Sequence, residues 1–185
     1  NSKEMGKVGP DVFIPLAEES GQIIEIGEWV LKEAIATLSR WHELGLNHLS
    51  MSINVSAIQL QRAKLVQSIS SLVEQYAVPE YCIELEITES MVLNQSNQPL
   101  ANLWALKDLG VSLSLDDFGT GYSSLSYLKQ LPIDALKIDK SFIIDMRDPK
   151  NGAIVRGTVE LGHSLGLNVV AEGVEDKAAY TSLKL

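Results

Sequence analysis

VSLSLDDFGTGYSSLSYLKQLPIDALKID, residues 111–139, holds two apolar runs of β-type composition that each close on charged groups. The first, residues 111–115, runs into Asp116 and Asp117. The second, residues 135–138, carries Lys137 and runs into Asp139. Between them lie a Gly-x-Gly turn at Gly119 and Gly121 and a helix-compatible stretch, with Pro132 just ahead of the second run. Asp116 and Lys137 are 21 positions apart, so the intervening helix must be short. Parallel strands joined by such a crossover put both charged ends on the same side.

The pattern continues in both directions. Upstream, residues 49–55 close on Asn54 and residues 82–88 close on Glu84, Glu86 and Glu89. Downstream, residues 167–171 close on Glu172 and Glu175. A helix-compatible stretch follows each run. Asn54 to Glu86 spans 32 positions, Glu86 to Asp116 spans 30, and Lys137 to Glu172 spans 35. These suit βα units of about 30 residues or more. Ahead of them, residues 12–20 read as a short helix stopped by Gly21. Residues 23–44 read as an amphipathic helix with Ile26, Val30, Ala34, Leu38 and Trp41 on one stripe, ended by Gly45.

The class is therefore α/β with a parallel sheet. Both a (β/α) barrel and an open doubly wound sheet place ligands at the carboxyl ends of the strands. A barrel needs eight strands and typically about 250 residues. Only five strands are visible in 185 residues, which reads as a barrel cut short at both ends.

Composition narrows the function classes. Hydrophobic residues make up 45% and charged residues 21%, the balance of an ordinary globular domain. No apolar run is long enough to span a bilayer. A formal net charge of -9 argues against an electrostatic grip on long nucleic acid, so an anionic substrate would need metal ions or a few placed cations. Cys82 stands alone in an apolar run, which excludes an internal disulfide and fits a core position. His42, His48 and His163 lack zinc-type spacing. Core packing is the default for Trp29, Trp41 and Trp104.

The strand ends themselves suggest chemistry. Glu86, Asp116, Asp117 and Glu172, with the amide oxygen of Asn54, form an oxygen-rich set. Carboxylates converging on one another repel, and such a cluster is stable mainly with cations in it. Hard oxygen ligands select Mg²⁺, Mn²⁺ or Ca²⁺ over zinc. Adjacent aspartates can bridge two ions, and two ions about 4 Å apart make a phosphoryl-transfer site. Lys137 could orient an attacking water or neutralise developing charge. Each acid taken singly reads equally well as a helix N-cap or a solvated turn residue. Strand ends in phase favour a shared site. Glu84 shares the face of Glu86 and either lies deeper or pairs with Lys137. Asp139 could simply pair with Lys140.

At this point the residues resemble a known family, the EAL domain of bacterial cyclic di-GMP phosphodiesterases. FIPLAEESG (residues 13–21), INVSAIQL (53–60), ELEITES (84–90), LDDFGTGYSSLSYLKQLPIDALKIDKSF (115–142) and VVAEGVE (169–175) carry the likeness over nearly the whole chain. The resemblance implies a modified TIM barrel, with residues 1–185 as a single partial EAL domain. It implies two Mg²⁺ or Mn²⁺ ions, with Ca²⁺ inhibitory. Asn54, Glu86 and Asp116 would hold one ion, and Asp116, Asp117 and Glu172 the other. Lys137 would stand near the nucleophilic water. Glu89 would hold the loop after Asp117, which contains Gly119 and Gly121 and helps form homodimers, with Glu175 as a further support. The implied reaction opens one phosphodiester of cyclic di-GMP to give linear pGpG, in a cytoplasmic domain fused to sensor or GGDEF domains.

Two family features are missing. The Glu-Ala-Leu strand that supplies a further metal ligand does not occur, and Asp134-Ala135-Leu136 is only a superficial echo of it on another strand. The Gln-Gly-Tyr segment with an active-site glutamine is also absent. A degenerate or truncated domain that binds cyclic di-GMP without cutting it is therefore the alternative, with a scaffold role as a third reading. An incomplete barrel is also expected to be less stable than a full domain and prone to associate.

Overall fold

Pro10 and Gly21 bound the first helix. The computed structural model describes residues 6–92, 97–120, 125–146 and 148–184. In it α1 (Pro10–Ser20) begins on Pro10, whose missing N–H would be unpaired there anyway, and stops at Gly21 with φ 75. Helix α2 (Ile23–Glu43) buries Ile23, Gly27, Leu31, Ile35 and Leu38. That face is rotated from the expected stripe. Of the expected residues only Leu38 is buried, while Ile26, Val30, Ala34 and Trp41 flank the contact. The cause is Gly27: a Cβ there would lie 2.0 Å from Gln59 Nε2. A close approach at glycine recentres the face, and hydrophobic periodicity does not register it.

Five βα steps follow. Strand β1 (Met51–Asn54) leads into α3 (Ala57–Leu60) and α4 (Lys64–Tyr76). A 3₁₀ turn over Glu80–Cys82 precedes β2 (Ile83–Thr88), α5 (Glu89–Val92) and α6 (Asn97–Leu109). Then come β3 (Ser112–Phe118), α7 (Leu125–Leu128), β4 (Ala135–Ile138), α8 (Lys140–Ile144), α9 (Pro149–Ser164), β5 (Asn168–Ala171) and α10 (Lys177–Ser182). Every strand pair is parallel, and the order in space is the order in sequence, β1-β2-β3-β4-β5. A doubly wound sheet needs a reversal of strand order. None occurs here, so the sheet winds in one direction, as in a barrel wall.

Alternation divides the sheet into an apolar and a polar face. Ile53, Leu85, Ile87, Leu113, Leu115 and Leu136 share one core with Leu31 and Ile35 of α2, Ile69 of α4 and Leu103 and Leu106 of α6. Each fully buried Leu or Ile contributes about 1.5–3 kcal/mol relative to exposure. The intervening residues, among them Asn54, Glu84, Glu86, Ser114 and Asp116, take the opposite face. Cys82 is buried as expected. The tryptophans are not all core: Trp41 packs against it, but Trp29 is 63% exposed and Trp104 50%. Both lie on outward faces of helices, where an isolated large apolar side chain is tolerated. A second apolar cluster of Ile138, Ile143 and Val155 takes in Phe142, Met146 and Val169. Among the described residues no helix is long and apolar enough to cross a membrane.

Candidate functional site

Register carries the polar strand ends to one rim. Asn54 stands opposite Glu86, Glu86 opposite Ser114, and Thr88 opposite Asp116. Just past Asn54 the chain is pinned by a capping box. Gln59 N–H donates to Ser56 Oγ at 3.2 Å, and Ser56 N–H donates to Gln59 Oε1 at 3.1 Å. Asn102 Nδ2 on α6 then donates to the Leu60 carbonyl at 2.6 Å. These buried bonds fix the turn that presents Asn54.

Lys137 is the centre of the rim. Its Nζ lies 2.5 Å from Glu172 Oε1, 3.0 Å from Glu86 Oε1 and 3.4 Å from Asp116 Oδ1. β4 supplies the lysine, β2 and β3 supply Glu86 and Asp116, and Glu172 follows β5, held by its N–H donating to the Ile138 carbonyl at 3.1 Å. Burial alone would depress the lysine. Hydrogen bonds to Glu172 and Glu86, with the charges of Asp116 and Glu86, overcome it and raise the ammonium above its ordinary pKa. Glu84 does not join this set. It pairs in register with Ser52 and Ser112, one layer below Glu86.

Asp117 departs from regular strand geometry. Its φ is 55, in the left-handed region, and the pairing of β3 with β4 slips between Leu115 and Phe118. Left-handed backbone costs about 1–2 kcal/mol in a residue with a Cβ, and Asp is among the side chains that tolerate it best. The slip turns Asp117 toward the rim beside Asp116 rather than away from it. Asp117 N–H donates to Asp116 Oδ1 at 3.0 Å, and Thr120 donates to the Asp117 carbonyl through N–H at 3.3 Å and Oγ1 at 2.9 Å. Burial raises the Asp117 carboxyl, and the charges of Asp116 and Asp139 raise it further. Asp139 moves the other way. The hydrogen bond from the Ser141 hydroxyl lowers it most, with burial opposing and the Ser141 N–H, 2.9 Å away, assisting. The two carboxyls hydrogen-bond to each other, which raises Asp117 and lowers Asp139.

For Asp139, sequence reading offered a pairing with Lys140 and missed its other contacts. Asp139 feels Lys140, but it also caps α8 and abuts Asp117. Its only sequence signal was its place two residues after Lys137. Glu89 opens α5 fully buried, and neither carboxylate oxygen has a hydrogen-bond partner among the described residues. Gly119 follows with φ 98, Glu175 is exposed ahead of α10, and Gly121 lies outside the described residues. Among the described residues no three His, Cys, Asp or Glu side chains converge as a metal-ligand group. Glu86, Asp116 and Glu172 converge on Lys137 instead.

A singly wound parallel sheet with its acids gathered at the carboxyl rim defines an α/β domain of the barrel class. The family model for the EAL domain matches residues 1–185, and the chain belongs to that family. It is 46% identical over 170 residues to the signaling protein YkoW of Bacillus subtilis, covering 91% of this chain and 21% of the relative. It is 43% identical over 174 residues to MucR of Pseudomonas aeruginosa, a bifunctional diguanylate cyclase/cyclic di-GMP phosphodiesterase, covering 94% of this chain and 25% of the relative. The chain thus spans between a fifth and a quarter of these curated relatives. A solved structure of PaMucR phosphodiesterase in complex with c-di-GMP superposes with a TM-score of 0.93 at 41% identity, covering 99% of this chain and 74% of that one.

Proposed function

We propose that this chain is the catalytic portion of a phosphodiesterase that hydrolyses cyclic di-GMP to linear pGpG with two divalent cations. The observation that carries the reading is the rim itself, in which one ammonium, Lys137, faces Glu86, Asp116 and Glu172, with Asp117 alongside. One positive charge does not balance four carboxylates. The donors are all hard oxygens, which fits Mg²⁺ or Mn²⁺. Asn54, Glu86 and Asp116 would hold one ion, and Asp116, Asp117 and Glu172 the other. When bound, the ions supply Lewis-acid stabilisation of phosphate charge and an acidified water.

The remaining roles fall to the protein. Lys137 donates a hydrogen bond that orients the attacking water. Glu172, already hydrogen-bonded to Lys137, takes up the proton the water sheds. Attack in line with the leaving group breaks the P–O3′ bond, O3′ leaves as an alkoxide that takes a proton from solvent, and the new phosphomonoester remains on the 5′ side. Glu89 positions the loop after β3. The relatives' substrate and the bifunctional architecture of MucR support cyclic di-GMP as the ligand and fusion to sensor or GGDEF domains. A homodimer in the cytoplasm completes the proposal.

The test is incubation with cyclic di-GMP and Mg²⁺ or Mn²⁺, following pGpG by chromatography, with Asp116→Asn alongside. Metal-dependent turnover that disappears in the variant is the expected result. The alternative is a receptor domain that binds cyclic di-GMP without cutting it. Saturable cyclic di-GMP binding without turnover would establish that alternative.

A further inference from the structure

Helix α8 touches both neighbouring rim loops. Asp139, at its N-cap, abuts Asp117 from the β3 side. Lys140 packs on the turn after Glu172: a Cβ added to Gly173 would lie 2.7 Å from Lys140 Cβ. The third contact is made by Phe142. Its ring edge meets the backbone at Gly119, where a Cβ would lie 3.1 Å from Cε2 and 3.5 Å from Cζ. Phe142 also packs against the apolar cluster of Ile138, Ile143 and Val155. The ring is therefore anchored in a packed cluster and pressed on the turn that holds Asp117.

Among the described residues, hydrogen bonds at Asp117 and Thr120 close that turn, but strand pairing does not. Asp117 sits in the left-handed region, and the ladder to β4 is interrupted between Leu115 and Phe118. Thr120 closes the turn on the Asp117 carbonyl, and Gly119 lies between them with φ 98. A strained residue persists only where its surroundings over-determine it. We propose that Phe142 is a positioning residue: by seating Gly119 it holds Asp117 in its left-handed conformation and so keeps the Asp117 carboxylate on the rim. The inference rests on the phosphodiesterase reading for its catalytic consequence, but its structural core is independent of it.

Phe142→Leu tests this, because leucine keeps the cluster filled but cannot reach Gly119. Val155→Ala is the control, since it loosens the same cluster without touching the turn. Two readouts are taken on the full chain: amide exchange at Thr120, whose N–H closes the turn, and kcat and KM for cyclic di-GMP with Mn²⁺. In Phe142→Leu, Thr120 exchange is expected to rise about tenfold or more, as for a locally opened turn. Its kcat is expected to fall by about tenfold or more while KM stays within about twofold, the mark of a misplaced reacting group. Val155→Ala should lower the melting temperature and leave Thr120 exchange and kcat near the parent values. Unchanged Thr120 exchange in Phe142→Leu, or an equal rise in both variants, would overturn the proposal. A parent chain without turnover sinks the phosphodiesterase reading, and Thr120 exchange still decides the role of Phe142.

Discussion

Asp117 is held against like charges, and the sign of its effect on stability follows from its raised pKa. A carboxyl whose pKa is higher in the folded chain favours folding when protonated, so it destabilises the fold once pH rises through that value. Asp117→Asn should raise the melting temperature in chelator at neutral pH by about 2–4 °C, and the gain should shrink as pH falls. The same substitution should abolish metal-dependent hydrolysis. Lys137→Met should behave oppositely in chelator, because it leaves Glu86, Asp116 and Glu172 facing one another. Lower stability and a loss of about 10²–10⁴ in kcat are expected, measured by thermal melts and steady-state rates. At this scale the sequence was informative where side chains follow strand parity. Glu86, Asp116, Lys137 and Glu172 were all readable as strand ends. The Asp117–Asp139 contact was not, because it depends on a slipped register and a left-handed residue that no periodicity encodes.

Turns and helix joints carry the next level of organisation. Gly173 has φ 71 and lies against Lys140, so a methyl group there meets both backbone strain and a steric clash. Gly173→Ala should cost about 1–3 kcal/mol in urea unfolding and displace Glu172 from Lys137. Asn102→Ala should cost a similar amount, about 1–3 kcal/mol, by stranding the buried Leu60 carbonyl. Element existence was legible throughout, since five apolar runs became five strands. Their extents were less so. β3 runs through Asp116 and Asp117 to Phe118, although charged residues usually mark a strand's end. The face of α2 was misjudged by one position because its closest contact is made by Gly27, which carries no hydropathy signal.

Among the described strands, β1 and β5 lie at the edges of the sheet. Exposed edges recruit other strands. Val170 on β5 is 45% exposed, so Val170→Lys should increase the monomer fraction in light-scattering measurements on this chain. Winding direction was read from sequence only through strand count and family resemblance. Sequential strand order settled it, because burial patterns within strands say nothing about which strands are neighbours. That sheet has a buried apolar face and a polar face, built from alternate residues of the same strands. A saturation mutational scan scored separately for cellular abundance and for signalling output should therefore split by parity. Along β2, tolerance for abundance should collapse at Leu85 and Ile87, while Glu86 between them should accept many replacements for abundance and almost none for output. Heritable loss of signalling would then fall into two groups one residue apart, those that remove the protein and those that leave it intact and silent.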